Sequence, residues 1–208
     1  MKNIIVLVSG GGTNLQALID KQEQGEIKNG NISCVISSNP NAYALQRAEQ
    51  HGVKTHVLPR KNFENNHAYS LALLDMLKQE QADLIVLAGF MIILDKIIIQ
   101  AYENKIINVH PALIPAFCGD GFYGLHVHEK ALEKGVKLTG ATVHFVNEIC
   151  DGGAIILQKA VAIQKGDTPE ILQKRVMEQA EWQILPQAVS LFCEERLQIE
   201  NNHVWIID

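Results

Sequence analysis

Two kinds of hydrophobic spacing alternate along the first half of the chain. Short runs of consecutive apolar and β-branched residues are typical of strands buried on both faces of a sheet, and apolar residues three and four apart are typical of amphipathic helices. The predicted strands are 3–9, 32–37, 55–58, 83–88 and 105–109, and the predicted helices are 13–24, 42–51, 67–79 and 96–103. This alternation predicts a mostly parallel, twisted sheet with helices on both faces.

The second half changes character. Segments 139–146 and 154–163 are β-rich and are joined by a short loop that contains Asp151, which predicts an antiparallel pair that extends the sheet. Thr168, Pro169 and Glu170 begin a long helix, expected to run to about residue 195 with a kink at Pro186. Segments 197–199 and 204–206 predict two final short strands. The expected fold is a single α/β domain over residues 1–208 with a Rossmann-like N-terminal half.

Composition narrows the choice of partners. The 208 residues are 47% hydrophobic and 20% charged, as in a soluble globular protein, and the net charge of −5 does not favour binding to nucleic acid. The most apolar run, 92–99, is interrupted by two charges and is too short to cross a bilayer, so no membrane association is expected. The four cysteines are widely spaced without a C-x-x-C pair, which favours reduced thiols and a cytoplasmic location.

A glycine-rich turn, residues 9–15, joins the first predicted strand to the first helix. Glycine lets the backbone approach a ligand closely, and a helix N-terminus offers free N–H groups to an anion. The turn lacks the lysine of a P-loop, and Leu15 stands where a dinucleotide fingerprint has its third glycine. The second strand also ends without the acid that would hold a ribose. A small phosphomonoester is the remaining ligand, and a tight turn without a ligand is the alternative.

Asn108 and His110 end another predicted strand. Alternate residues of a strand point to the same side, so the amide and the imidazole are expected side by side where Pro111 stops the strand. Polar groups at the carboxyl ends of strands form the sites of open α/β sheets. The alternative is that both side chains only bond local backbone groups.

Asp151, in a loop with two glycines, adds a carboxylate to this pair. An amide, an imidazole and a carboxylate are the groups needed for acyl transfer to an amine. The amide donates to the developing oxyanion, the imidazole exchanges a proton or stabilises charge, and the carboxylate raises the imidazole pKa or orders a water. No serine or cysteine nucleophile is required, because the amine attacks.

Together these elements resemble the glycinamide ribonucleotide formyltransferases. The resemblance covers the chain from residue 4 to about residue 205 and is carried by five segments in a specific order and spacing: SGGGTNLQ at 9–16, LAGFM at 87–91, NVHPALIP at 108–115, TGATVHFV at 139–146 and DGGAIILQ at 151–158. It implies the formyltransferase fold. The implied activity is transfer of a formyl group from 10-formyltetrahydrofolate to the amine of glycinamide ribonucleotide, in purine synthesis.

The resemblance also implies the residues of the site. The catalytic residues are Asn108, His110 and Asp151. The ribonucleotide-binding residues are Gly11, Gly12, Thr13, Asn14 and Glu181. The folate-binding residues are Met91, Ile92, Ile93, Leu94, Asn108 and Asn147. Residues 1–100 are expected to form the phosphate-binding half and 101–208 the catalytic and folate-binding half of a monomer or weak homodimer, with small-molecule substrates only.

The chain departs from the family pattern at several positions. Family members often carry a basic residue at the positions of Ile92 and Asn66, and the loss of both is expected to weaken contact with the glutamate tail of the folate or the nearby surface. The loop 116–126 is longer and more aromatic than in many relatives, and either covers the site or packs on the surface. Ala112 and Ala154 replace residues that are commonly Ser and Pro, and we expect both changes to be tolerated.

Four rival interpretations have weaker support. A metal site on His126, His128, His110 or His144 lacks a carboxylate at zinc-like spacing, so no metal is expected, and His144 is expected to be a core residue. A formyltetrahydrofolate hydrolase shares the triad but usually has an additional N-terminal regulatory domain. A methionyl-tRNA formyltransferase needs a nucleic-acid-binding C-terminal domain. A non-catalytic ribonucleotide-binding module would not need the triad.

Overall fold

The computed structural model of the chain describes residues 1–208, and its central feature is one seven-stranded sheet. Its strands are β1 Lys2–Val8, β2 Gly30–Ser37, β3 Lys54–Val57, β4 Leu84–Leu87, β5 Ile106–His110, β6 Leu138–Phe145 and β7 Ile155–Ala162. The spatial order is β3-β2-β1-β4-β5-β6-β7. The first five strands are parallel, in the order of a Rossmann-like half, and β6 is antiparallel to both β5 and β7. The predicted parallel sheet and its antiparallel extension are confirmed.

Helices cover both faces of this sheet. They are α1 Thr13–Glu23, α2 Tyr43–Gln50, α3 Asn66–Gln79, α4 Lys96–Ala101, α5 Leu125–Lys134, α6 Pro169–Val176 and α7 Trp182–Cys193. The central strands β1 and β4 are buried along almost their whole length, as their continuous apolar runs require. Alternate residues of β1 contribute to two separate cores, with Ile4 and Val6 in one and Ile5 and Leu7 in the other. One core lies on each face of the sheet.

The long C-terminal helical segment differs from its prediction. It begins at the predicted N-cap, Thr168, whose side chain accepts a hydrogen bond from Ile171 N. The irregularity, however, is a π-helical turn at Met177–Glu181 and lies one turn before Pro186. Pro186 has no N–H to donate into the preceding turn, yet it lies inside the regular helix α7. The irregularity that the structure shows is therefore the π-helical turn, and a kink at Pro186 stays a prediction.

The chain ends in a separate antiparallel pair, β8 Leu197–Glu200 and β9 His203–Ile206. Both strands extend the predicted segments by one residue, at the C-terminus of the first and the N-terminus of the second. The four cysteines are free thiols. None of the helices combines the length and the apolar character needed to cross a membrane.

Candidate active site

The carboxyl ends of β1, β4 and β5 meet on one edge of the sheet, where the candidate residues gather. The pairing of β5 with β6 fixes the neighbours of two predicted catalytic residues, because Asn108 lies opposite His144 and His110 lies opposite Thr142. The loop between β6 and β7 then brings Asp151 to the same place. All three predicted catalytic residues, Asn108, His110 and Asp151, therefore lie in one cluster.

Asp151 lies between two imidazoles. Its Oδ2 is 3.5 Å from His110 Nδ1, and its Oδ1 is 3.6 Å from His144 Nε2. Gly119 N donates to Oδ2 over 2.9 Å. The backbone of Asp151 is left-handed, with φ of 53°, a conformation that Asp tolerates better than most residues and that is frequent at functional sites.

The Gly-Gly pair after Asp151 allows this loop to close on β6. A Cβ built on Gly153 would lie 1.8 Å from the Phe145 carbonyl oxygen. Asn147 holds the rest of the loop, because its amide donates to Gly152 O and accepts from Ile149 N. The close approach of Gly153 to β6 and the hydrogen bonds of Asn147 therefore hold the loop that positions Asp151.

The protonation of the cluster follows from its burial. His110 and Asp151 expose only 5% and 9% of their side chains. Burial lowers the pKa of His110, although Asp151 and the Phe117 carbonyl act to raise it. Burial acts to raise the pKa of Asp151, but His144, the Gly119 N–H and His110 together hold it below its usual range. At neutral pH the cluster therefore pairs a neutral His110 with a charged Asp151.

His144 is a site residue that the sequence pattern assigned to the core. Its Nδ1 lies 2.8 Å from the Phe145 carbonyl, which can only accept, so Nδ1 carries the proton. In the neutral ring Nε2 then has a lone pair, which accepts from Asn108 Nδ2 over 3.1 Å. His144 is buried as expected, but it also fixes which way the Asn108 amide points.

An aromatic loop lies against the cluster. His110 Nε2 donates to the Phe117 carbonyl over 2.7 Å, and Gly119, in the same loop, bonds Asp151. This part of segment 116–126 therefore contacts the catalytic residues, and Gly119 and Asp120 also line the neighbouring cavity.

That cavity has a volume of about 470 Å³, within the range of small-molecule sites. Its wall combines apolar side chains with polar groups at one edge, including Ile92, Ile93, Leu94, Asn108, Asn147 and Asp151. Met91 does not line it: its side chain is exposed, and its backbone N–H donates to Ser9 Oγ. Asn66 donates to the Ile93 carbonyl, so the two positions without a basic residue, Ile92 and Asn66, both lie at this wall.

The glycine-rich turn lies where β1 ends. Gly12 is the N-cap of α1 with φ of 73°, and a Cβ there would lie 2.6 Å from Ala44 Cβ, so only glycine fits. Gly11 is exposed, and the first N–H groups of α1 face the turn. Arg47, which no sequence motif indicated, donates from Nε to Gly11 O and supplies a cation beside the turn. In the sequence, only its position on the predicted second helix could have indicated that Arg47 lies near the turn.

Glu181 joins this turn from the π-helical segment. Its carboxylate accepts from Asn14 Nδ2 over 2.7 Å. Burial raises its pKa to about 7, against the opposing effect of the Asn14 hydrogen bond. Thr13 lies on the same side, with its hydroxyl 3.7 Å from Met177 Sδ. The predicted ribonucleotide residues Asn14 and Glu181 are therefore in direct contact, at the turn that follows the carboxyl end of β1.

Known proteins share both the sequence and the fold of this chain. Residues 2–189 match the family model described as Formyl transferase. The chain is 44% identical to the phosphoribosylglycinamide formyltransferase of Haemophilus influenzae and 39% identical to that of Escherichia coli. These matches cover 99% and 98% of this chain, and 94% and 93% of the relatives. A crystal structure of glycinamide ribonucleotide transformylase 1 from Symbiobacterium toebii superposes with a TM-score of 0.94 at 42% identity, covering 100% of this chain and 95% of that one.

Proposed function

Because the chain belongs to the formyl transferase family and, within it, to the phosphoribosylglycinamide formyltransferases, we propose that it formylates the amine of glycinamide ribonucleotide. The formyl donor is 10-formyltetrahydrofolate, and the products are formylglycinamide ribonucleotide and tetrahydrofolate, in purine synthesis. The observation that carries the proposal is one cluster beside a cavity of about 470 Å³: Asp151 lies between His110 and His144, and His144 bonds Asn108.

The ribonucleotide phosphate binds at the turn formed by Gly11, Gly12, Thr13 and Asn14. The free N–H groups at the start of α1 and the guanidinium of Arg47 favour an anion there. Glu181 accepts hydrogen bonds from the ribose hydroxyls, because its carboxylate lies next to the turn through Asn14. This orientation directs the glycyl amine towards His110.

The folate binds in the cavity beside the triad. Ile92, Ile93 and Leu94 give an apolar wall for the flat ring, and the backbone around Asn147 gives fixed polar groups at its edge. When bound, the folate supplies the formyl carbonyl and the leaving nitrogen. Each substrate therefore contacts both halves of the chain. The ribonucleotide contacts the turn at 11–14 in the first half and Glu181 in the second, and the folate contacts residues 92–94 in the first half and Asn147 in the second.

Asn108 stabilises the oxyanion that forms when the amine attacks the formyl carbon. One of its amide N–H groups is held by His144, and the second has no partner within the protein. A donor fixed in advance costs no reorganisation during the reaction, which is why such groups contribute strongly to catalysis.

His110 and Asp151 handle the proton that the amine loses. Burial keeps His110 neutral at pH 7, so its Nδ1 lone pair can accept a proton. The carboxylate of Asp151, 3.5 Å away, stabilises the imidazolium that results. A water carries the proton on to the leaving folate nitrogen, which completes the transfer.

The direct test is the dependence of folate release on the acceptor. The wild-type protein is mixed with 10-formyltetrahydrofolate, with and without glycinamide ribonucleotide, and tetrahydrofolate formation is followed by absorbance. We expect release only with the ribonucleotide. Equal release without it would indicate a hydrolase, and no release under either condition would indicate a binding protein; both results contradict the proposal.

A further inference from the structure

Three metal-ligating side chains meet at the outer edge of the sheet, away from the catalytic cluster. Cys34 lies on β2, His56 on the edge strand β3, and Glu80 directly after α3. The Cys34 sulfur, a His56 ring nitrogen and a Glu80 carboxylate oxygen all lie within 4.8 Å of one another. Cys34 is fully buried, whereas the side chains of His56 and Glu80 are 31% and 15% exposed. The group is thus closed on one side and open to solvent on the other.

The fold brings these groups together through the strand register. Cys34 pairs with Lys54 and Ile36 with His56, so the side chains of Cys34 and His56 project from the same face of the sheet. Helix α3 packs on that face, with Tyr69, Leu73 and Leu77 in the same core as Cys34. Its C-terminus carries Glu80 over the edge strand.

We propose that Cys34, His56 and Glu80 bind a divalent late first-row transition metal, with Zn²⁺ as the best fit. Sulfur, imidazole and carboxylate are the three ligand types that Zn²⁺ takes in proteins, whereas Mg²⁺ and Ca²⁺ take oxygen ligands. A fourth ligand, water, enters from the exposed side. This site departs from the expectation that the chain binds no metal.

Metal binding changes the hydrogen bonds of Glu80 and the protonation of Cys34. Without metal, Glu80 Oε1 accepts from Lys54 Nζ over 2.6 Å and from His56 Nε2 over 2.8 Å, while Cys34 stays a thiol because burial raises its pKa to about 12. On binding, the sulfur–metal bond forms, the S–H bond breaks and its proton passes to the buffer. The thiolate and the carboxylate then neutralise the two positive charges of the metal, and the ammonium of Lys54 moves into solvent.

Lys54 is therefore a competitor of the metal. Its side chain is 56% exposed, so it can leave Glu80 without losing a buried environment. Removal of its charge should tighten metal binding, a result that a metal bound elsewhere on the surface would not give.

The test is a titration of the metal-free whole protein with Co²⁺, followed by displacement with Zn²⁺. We expect one equivalent of Co²⁺ per chain and a near-ultraviolet sulfur-to-cobalt charge-transfer band. Cys34→Ser and His56→Gln should abolish the band, and Lys54→Met should tighten binding about tenfold. His51→Gln is the matched control, because His51 also contacts a carboxylate, Glu23, over 2.7 Å.

Two further results would overturn the proposal. The first is a band that persists in His56→Gln, or one that disappears instead in Cys118→Ser or Cys150→Ser, since those thiols lie in the active-site loops. The second is an unchanged or weaker affinity in Lys54→Met. The His56 and Lys54 variants change side chains that are partly exposed, so these tests do not depend on the folding of a variant at the buried Cys34.

Discussion

At the scale of single residues, two imidazoles on either side of one carboxylate determine where protons reside. His110 is neutral through burial and has Asp151 beside Nδ1, while His144 donates to a backbone carbonyl and accepts from Asn108. The two histidines therefore have different parts in the proposed reaction: one accepts a proton and the other orients an amide.

Replacement of His110 by Ala should lower kcat by about 10²- to 10⁴-fold, the usual contribution of a positioned acid or base. The affinity for glycinamide ribonucleotide should change little, because the phosphate turn is separate. Steady-state kinetics and calorimetric titration measure the two quantities. A variant with normal kcat and weakened binding would contradict the assigned role.

The pH dependence of kcat/KM tests the coupling of His110 to Asp151. The base acts when neutral, so activity should fall as the pH falls through the His110 pKa, which lies below 6.5. The charge of Asp151 raises that pKa, so in Asp151→Asn the residual activity should fall at a lower pH than in the wild type. If the acidic limb of the kcat/KM profile stays in place in Asp151→Asn, or moves to higher pH, another group is responsible for the titration.

His144→Leu should lower kcat by between about tenfold and a hundredfold, because Asn108 loses the acceptor that orients its amide. His144→Gln, which keeps an acceptor, should recover part of the loss. The comparison of kcat with KM in the two variants separates positioning from substrate binding. Equal losses of kcat in both variants would contradict the proposal that His144 orients the Asn108 amide.

The sequence predicted the identities of Asn108, His110 and Asp151 but not the role of His144. Alternation along β5 places Asn108 and His110 on one side without any tertiary information. The contact of Asn108 with His144 depends on the exact antiparallel register of β5 with β6, and that register is not readable from either strand alone. Met91 is the opposite case, a residue that the sequence assigned to the site and the structure does not. It was predicted to bind folate with Ile92, Ile93 and Leu94, but its side chain is exposed and does not line the cavity.

At the scale of elements, the π-helical turn at Met177–Glu181 links the C-terminal helix to the phosphate turn. Irregular helical turns of this kind are frequent at functional sites, and this one presents Glu181 to Asn14. Pro186 and the N-cap Thr168 were both readable from the sequence. The π-helical turn was not, because its place depends on packing against β6 and β7.

Glu181→Gln should raise the KM for the ribonucleotide by about 10- to 100-fold, since a charged acceptor of the ribose hydroxyls is lost. Ionisation of wild-type Glu181, with a pKa of about 7, strengthens its accepting role as the pH rises. The wild-type KM should therefore decrease between pH 6 and pH 8, and the variant should lose this dependence. A dependence that survives in Glu181→Gln would assign it to another group.

At the scale of the whole molecule, the mostly parallel sheet, its antiparallel extension and the covering helices followed from the alternation of apolar strands and amphipathic helices. The contact of loop 116–126 with the cluster did not, because it rests on two backbone hydrogen bonds, from His110 to Phe117 and from Gly119 to Asp151. Backbone groups carry no sequence signal of their own.

Global stability should depend on His128 in α5, which is fully buried and has no hydrogen-bond partner on either ring nitrogen. Burial lowers its pKa to about 4 from 6.5, so between these values the unfolded chain binds a proton that the folded chain does not. The free energy of unfolding should therefore fall as the pH falls from 6.5 to 4, by up to about 3 kcal/mol from this residue.

Urea denaturation of the wild type and of His128→Leu at several pH values isolates this contribution. The variant should lose less stability between pH 7 and pH 4.5 than the wild type does. His126→Gln, at an exposed histidine of the same helix, is the control and should behave as the wild type. Parallel decreases in the wild type and in His128→Leu would contradict the prediction.

The central claim, formyl transfer carried out by the Asn108–His110–Asp151 cluster, is tested most directly by following a carbon-13-labelled formyl group. Labelled 10-formyltetrahydrofolate and glycinamide ribonucleotide are mixed with the wild type or with Asp151→Asn, and the products are read by NMR. The account predicts label on the ribonucleotide amine with the wild type, and about 100-fold slower labelling with the variant at unchanged ribonucleotide affinity. Label released as formate, or an equal rate in Asp151→Asn, would contradict it.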